Sequence, residues 1–126
     1  PGRAALQEMA RTWAGEYHTT FAPGAEAALL DRCGAVSAPV ARAMALGARV
    51  LTGADLAVSV TGLAGPDGDD RGNPVGTVFA ALAAPEGVFV EQLALGGDRE
   101  RIRALSAHHA LDMARRYLTH QMTEGE

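Results

Sequence analysis

Cysteine is almost absent from this chain of 126 residues: Cys33 stands alone, so no internal disulfide can form and no oxidising compartment is implied. Its place between Leu30 and Gly34 reads as the end of a helix, where a small half-buried thiol is the usual case. No apolar run approaches the roughly 20 residues that a membrane-crossing helix needs. Pro1 to Leu6 lack the basic-then-apolar layout of a secretion signal, and the expected location is the cytoplasm. Positive charge is also scarce, with 11 basic residues against 15 acidic ones and a formal net charge of −4. Affinity for a phosphate backbone rests on clustered basic side chains, so no nucleic-acid partner is expected. Arg99, Arg101, Arg103, Arg115 and Arg116 gather late, but along one helix they make too small a group for a duplex groove. His108 and His109 point about 100° apart on a helix and have no second His, Cys or Asp cluster at ligand spacing, so no bound metal is expected.

What is present is a globular composition, 48% hydrophobic and 21% charged, with length for one core and no internal repeat. Residues 1–126 therefore read as one domain. Leu6, Met9, Ala10 and Trp13 recur at helical spacing and predict an amphipathic helix over Ala4–Ala14. A short strand over Glu16–Thr20 follows, then a helix over Ala25–Arg32 stopped by Gly34. Ser37 can cap the next helix, with Pro39 in its first turn, from Ala38 to about Leu51. Asp55–Val60 is a short apolar run of the kind that forms a strand covered on both faces. Thr61–Pro74 holds four glycines and two prolines and reads as turns throughout. Val75–Ala83 and Val88–Leu95, parted by Pro85-Glu-Gly87, predict an antiparallel hairpin. The last helix opens at Asp98 and places Ile102, Leu105, His109, Met113 and Tyr117 on one face, ending near Leu118. The sum is an α/β fold: a single-domain layered sandwich with helices packed on a mixed β-sheet that includes an antiparallel hairpin.

Chemistry concentrates in two places. Beyond the Asp55–Val60 strand, Gly62, Gly65 and Gly68 let backbone N–H groups approach an anion or a carbonyl oxygen, and Thr61 adds a hydroxyl at the strand tip. A long surface connection that needs glycine only to turn reads equally well. At Asp98-Arg-Glu-Arg-Ile-Arg103, Arg99 and Arg103 stand four residues apart on one helix face, a pair suited to a phosphate or carboxylate. Pairing with Glu100, Asp112 or another surface acid is the competing role.

Taken in order, Gly34-Ala-Val-Ser-Ala-Pro39, Ser59-Val-Thr-Gly-Leu-Ala-Gly-Pro-Asp-Gly68, Asn73-Pro-Val-Gly-Thr-Val78 and Gly97-Asp-Arg-Glu-Arg-Ile-Arg103, with Ala110-Leu111 beyond, resemble the C-terminal domain of the CinA family. The resemblance runs from about Leu29 to Leu118. Active members are nicotinamide-nucleotide amidases, which hydrolyse the carboxamide of nicotinamide mononucleotide to nicotinate mononucleotide and ammonia. The resemblance thus implies a salvage activity on pyridine nucleotides with no metal or cofactor, a small-molecule nucleotide as partner, and a homodimer, for which the hairpin offers an edge. On the matching positions it implies Thr61 and Tyr17 as catalytic residues and Gly62, Ala64, Gly65, Pro66, Gly76 and Thr77 around the substrate. Arg99 and Arg103 would meet its phosphate.

One departure stands out. Family enzymes carry a Glu-Ser-Cys-Thr-Gly-Gly motif that supplies a serine nucleophile, then a Tyr-Ser-Asn segment and a lysine. Here the first motif and the lysine are missing, and Tyr17-His-Thr19 is a faint echo of the tyrosine segment. Three readings stay open: a degenerate relative that keeps the pocket without the chemistry, a segment missing between about Glu16 and Pro23, or Thr19, Thr20 or Cys33 as a replacement nucleophile.

Overall fold

Strands that alternate small apolar residues on both faces need a cover on each side, and the tertiary structure supplies two helices for the purpose. The computed structural model describes residues 27–119. The helix expected over Ala4–Ala14, the strand over Glu16–Thr20 and Tyr17 itself lie outside the described residues. The elements are α1 (Ala27–Cys33), α2 (Ala38–Thr52), β1 (Ala57–Gly62), β2 (Thr77–Ala84), β3 (Gly87–Ala94) and α3 (Arg99–Leu118).

The helices end where backbone chemistry dictates. Gly34, at φ +81°, turns α1 off, and its N–H donates to the Leu30 carbonyl at 2.8 Å. Gly53 does the same for α2 at φ +72°, with its N–H on the Arg49 carbonyl. Asp98 caps α3 by accepting from the Arg101 N–H at 2.8 Å. Ser37 stands at the start of α2 but makes no side-chain cap. Its hydroxyl instead donates to the Gly34 carbonyl at 2.8 Å, closing the tight 34–37 turn, a local bond open to any serine that follows a helix end.

β1, β2 and β3 form one sheet in that order. Every described pairing is antiparallel, where the sequence suggested a mixed sheet. Successive parallel strands need a crossover, usually a helix, and residues 63–76 between β1 and β2 form none. The register sets Gly62 opposite Val78 and Thr77 opposite Ala94. β1 also runs two residues further than expected, through Thr61 and Gly62, because the Leu63 N–H finds the Thr77 carbonyl and the Gly76 N–H finds that of Leu63.

Side-chain alternation along β1 and β2 divides the core between two layers. Ala57, Ala81 and Ala83 face Ala41, Ala45 and Ala48 of α2. On the opposite face Val58, Ala80 and Leu82 meet Ala110 and Met113 of α3. The first interface is almost all alanine, which brings α2 so close that the Ser59 hydroxyl reaches the Ala41 carbonyl at 2.6 Å. The second is filled by larger side chains, Leu82 and Met113 among them, both with no exposure. The result is helix, sheet and helix, the layered α/β sandwich that the sequence pattern implied.

Candidate functional site

Antiparallel register collects one set of chain ends at one edge of the sandwich. The carboxyl end of β1, the start of β2 and the carboxyl end of β3 meet there, and only four residues, 95–98, separate β3 from the start of α3. Beneath them Ala64, Val78 and Ile102 are buried together, with Val60, Val75, Leu93 and Leu95 around them. This apolar plug fixes the loop after β1 against the first turn of α3.

Glycine is required at two points of the corner. A Cβ on Gly76 would lie 2.0 Å from the Leu95 carbonyl oxygen, and its φ of +97° disfavours any other residue. A Cβ on Gly62 would lie 2.7 Å from the Val78 side chain and 3.0 Å from the Thr77 carbonyl. The backbone can pass this closely only because neither residue has a side chain.

Arg99 reaches across the corner. Its Nη1 donates to the Gly65 carbonyl at 2.9 Å, so the glycine turn and the start of α3 share one site. Arg99 as a whole is exposed. Arg103, one turn on, is half-buried, and its Nε is buried with no hydrogen-bond partner among the described residues. Neither arginine pairs with Glu100 or Asp112; Asp112 instead accepts from Arg115 and Arg116. Pro66 is exposed at the turn and Ala64 is buried under it.

Both threonines of the site spend their hydroxyl proton on backbone. Thr61 donates to the Ala35 carbonyl at 2.7 Å and Thr77 to the Pro74 carbonyl at 2.8 Å. Thr61 thereby ties β1 to the 34–37 turn, and no imidazole, carboxylate or amine among the described residues takes its proton. Cys33 is half-buried at the end of α1, the position expected of it.

The residues that brace the long loop were not singled out from the sequence. Asp69 accepts from the Arg71 and Asn73 N–H groups, both at 3.0 Å, and from Asn73 Nδ2 at 2.8 Å. The Asn73 side-chain hydrogen bond, above all, holds the Asp69 carboxyl below its ordinary value. Arg71 then donates to the Arg32 and Asp31 carbonyls at 3.1 and 2.5 Å, satisfying the end of α1. Its side chain lies where a Cβ on Gly34 would be. The Asp-x-Arg-x-Asn spacing was the available signal, since Asp and Asn in a turn bond the backbone two residues on.

A second polar cluster lies at β3 and α3, away from this corner. Glu91 accepts from His109 Nε2 at 2.5 Å and from Arg116 at 2.9 Å. Burial by itself would raise the Glu91 carboxyl, but the hydrogen bonds from Arg116 and His109 outweigh it and hold the group below its ordinary value. His109, on the apolar face of α3, thus has its ring nitrogen engaged by Glu91. No described helix is long and apolar enough to cross a membrane.

Comparison with known proteins finds a match to the CinA C-terminal domain over residues 22–118. A CinA-like protein of Citrifermentans bemidjiense is 53% identical over 100 residues, covering 79% of this chain and 24% of its own. One of Geobacter sulfurreducens is 54% identical over 95 residues, covering 75% and 23%. The chain thus spans about a quarter of the length of these relatives. Among solved structures, the competence damage-inducible protein A of Klebsiella pneumoniae superposes with a TM-score of 0.75 at 32% identity, covering 80% of this chain and 63% of that one. The competence/damage inducible protein of Agrobacterium tumefaciens does so at 0.69 and 38% identity, covering 74% and 58%.

Proposed function

Because the chain belongs to the CinA family through its C-terminal domain, we propose that the corner between the glycine turn and α3 is a pyridine-mononucleotide site of the amidase type. The observation that carries this reading is the Arg99 bond to the Gly65 carbonyl, which joins a flexible-backbone cradle to cationic donors. In this arrangement the free guanidinium donors of Arg99 and Arg103 meet the phosphate of nicotinamide mononucleotide, and charge-assisted bonds of this kind are the strong ones. The backbone of Gly62–Gly65 lies along the base and its carboxamide. Hydrolysis of that amide needs a nucleophile, a proton acceptor and oxyanion donors. In this reading the Arg99 guanidinium and the Ala64 and Gly65 N–H groups would supply the third, since the Leu63 N–H is already given to the Thr77 carbonyl; the first two would fall to Tyr17, Thr19 or Thr20, outside the described residues, or to Cys33.

The engaged hydroxyls of Thr61 and Thr77 favour a second reading, a nucleotide-binding module without turnover. Calorimetry with nicotinamide mononucleotide, run beside an ammonia-release assay, separates the two: binding with turnover supports the amidase, and binding alone supports the module. Arg99→Ala is expected to weaken binding about tenfold or more, the scale of one lost charge-assisted contact, with the fold retained. Unchanged affinity refutes the phosphate role.

A further inference from the structure

The loop between β1 and β2 hangs between two helices, and an arginine-to-carbonyl contact holds it toward each of them. On the α3 side Arg99 donates to the Gly65 carbonyl. On the α1 side the direction reverses, and Arg71 of the loop donates from Nη1 to the Arg32 carbonyl and from Nη2 to the Asp31 carbonyl. Both carbonyls belong to the last turn of α1, where no partner within the helix exists, and one planar guanidinium reaches the two together. Between these contacts the loop is stiff. Asp69 and Asn73 close its tip on each other: the Asp69 N–H donates to the Asn73 carbonyl at 3.3 Å, and the Asp69 carboxylate accepts from the Asn73 N–H and side chain. Below the tip, a Cβ on Gly68 would lie 2.5 Å from the Asn73 carbonyl oxygen, so the two limbs of the loop touch at their backbones. A Cβ on Gly65 would lie 3.2 Å from the Val75 side chain. With the limbs in contact, a shift of the tip is passed on to the glycine turn.

We propose that Arg71 is a positioning residue of the ligand corner, a role that rests on the nucleotide reading given above. By fastening the loop tip to α1, it holds the Gly62–Gly65 backbone where the base and its carboxamide lie. Arg71 acts through the loop and not on the ligand, since Nη1 and Nη2 are both given to α1. The side chain is exposed, so its removal costs the fold little. What changes is the fraction of molecules with the glycine turn in place, and apparent affinity falls in proportion to that fraction.

Binding of nicotinamide mononucleotide and of its nucleoside, which lacks the phosphate, separates positioning from direct contact. Calorimetry serves for the nucleotide and ligand-observed NMR for the nucleoside, in the whole chain. Arg71→Met is expected to weaken both ligands by a similar factor, about fivefold or more, while far-UV circular dichroism shows the fold retained. Arg71→Lys keeps the charge and reaches one carbonyl at a time, so it is expected to recover part of that loss for both ligands. Unchanged affinity of Arg71→Met overturns the proposal and leaves the nucleotide reading standing. A loss confined to the nucleotide also overturns it, because that places Arg71 on the phosphate. So does a loss with Arg71→Lys as large as that with Arg71→Met. If the unsubstituted chain binds neither ligand, the nucleotide reading itself falls and the role of Arg71 falls with it.

Discussion

Glu91→Gln tests the tie between β3 and α3 through its pH dependence. Glu91 and Arg116 are mostly covered, at 20% and 23% side-chain exposure, and meet at 2.9 Å. Glutamine keeps the shape but turns one acceptor into an amide donor facing the guanidinium, which loses its counter-charge on that side. Hydrogen bonds to charged groups contribute about 1.5–3 kcal/mol, and the residual exposure sets the expected loss near 2 kcal/mol at pH 7. For a domain of this size that lowers Tm by roughly 6–10 °C. The sign with pH follows from the carboxyl's depressed folded value. Its contribution is complete above its ordinary value of 4.5 and is lost as pH falls through the folded value, because the unfolded chain takes up the proton first. Melting curves of both proteins, followed by circular dichroism from pH 7 to about pH 3, should therefore converge on acidification. Asp112, held low mainly by the Arg115 hydrogen bond, titrates in the same sense, so the two proteins must be compared at each pH. A Tm deficit of constant size across the series would refute the ionic tie.

Leu82→Ala, at a position with no exposure, is expected to cost about 2–5 kcal/mol in urea unfolding, as buried leucines do. Gly76→Ala places a methyl 2.0 Å from the Leu95 carbonyl at positive φ, so a loss of a few kcal/mol together with loss of nucleotide binding is the expected outcome. Thr61→Val removes the donor to Ala35; a stability loss of about 1–2 kcal/mol with unchanged affinity for nicotinamide mononucleotide would assign Thr61 to positioning rather than chemistry. Arg71→Met, at an exposed brace, should change global stability by less than about 1 kcal/mol while limited proteolysis between residues 66 and 72 accelerates.

The elements were legible from the residues because each rests on a local rule. Gly34 ends a helix by adopting positive φ, Asp98 caps, and the Pro85-Glu-Gly87 break forces a hairpin. These depend on neighbours in sequence, and the described helix and strand bounds fall within two residues of those expected. Gly62, Gly65, Gly76 and Arg99 were also legible as candidates, through the resemblance of their motifs and their residue types.

Partnership was decided only by the tertiary structure. Whether Ser37 caps a helix or closes a turn, whether Thr61 offers its proton to a ligand or to Ala35, and whether Arg99 faces Glu100 or Gly65 depend on which groups lie within about 3 Å. Those distances are set by sheet register and by how closely an alanine face lets α2 approach. Periodicity determines which side of an element is apolar, since that follows from backbone geometry. It does not determine which polar group receives a given hydrogen, because competing acceptors differ by about 1 kcal/mol and packing chooses among them.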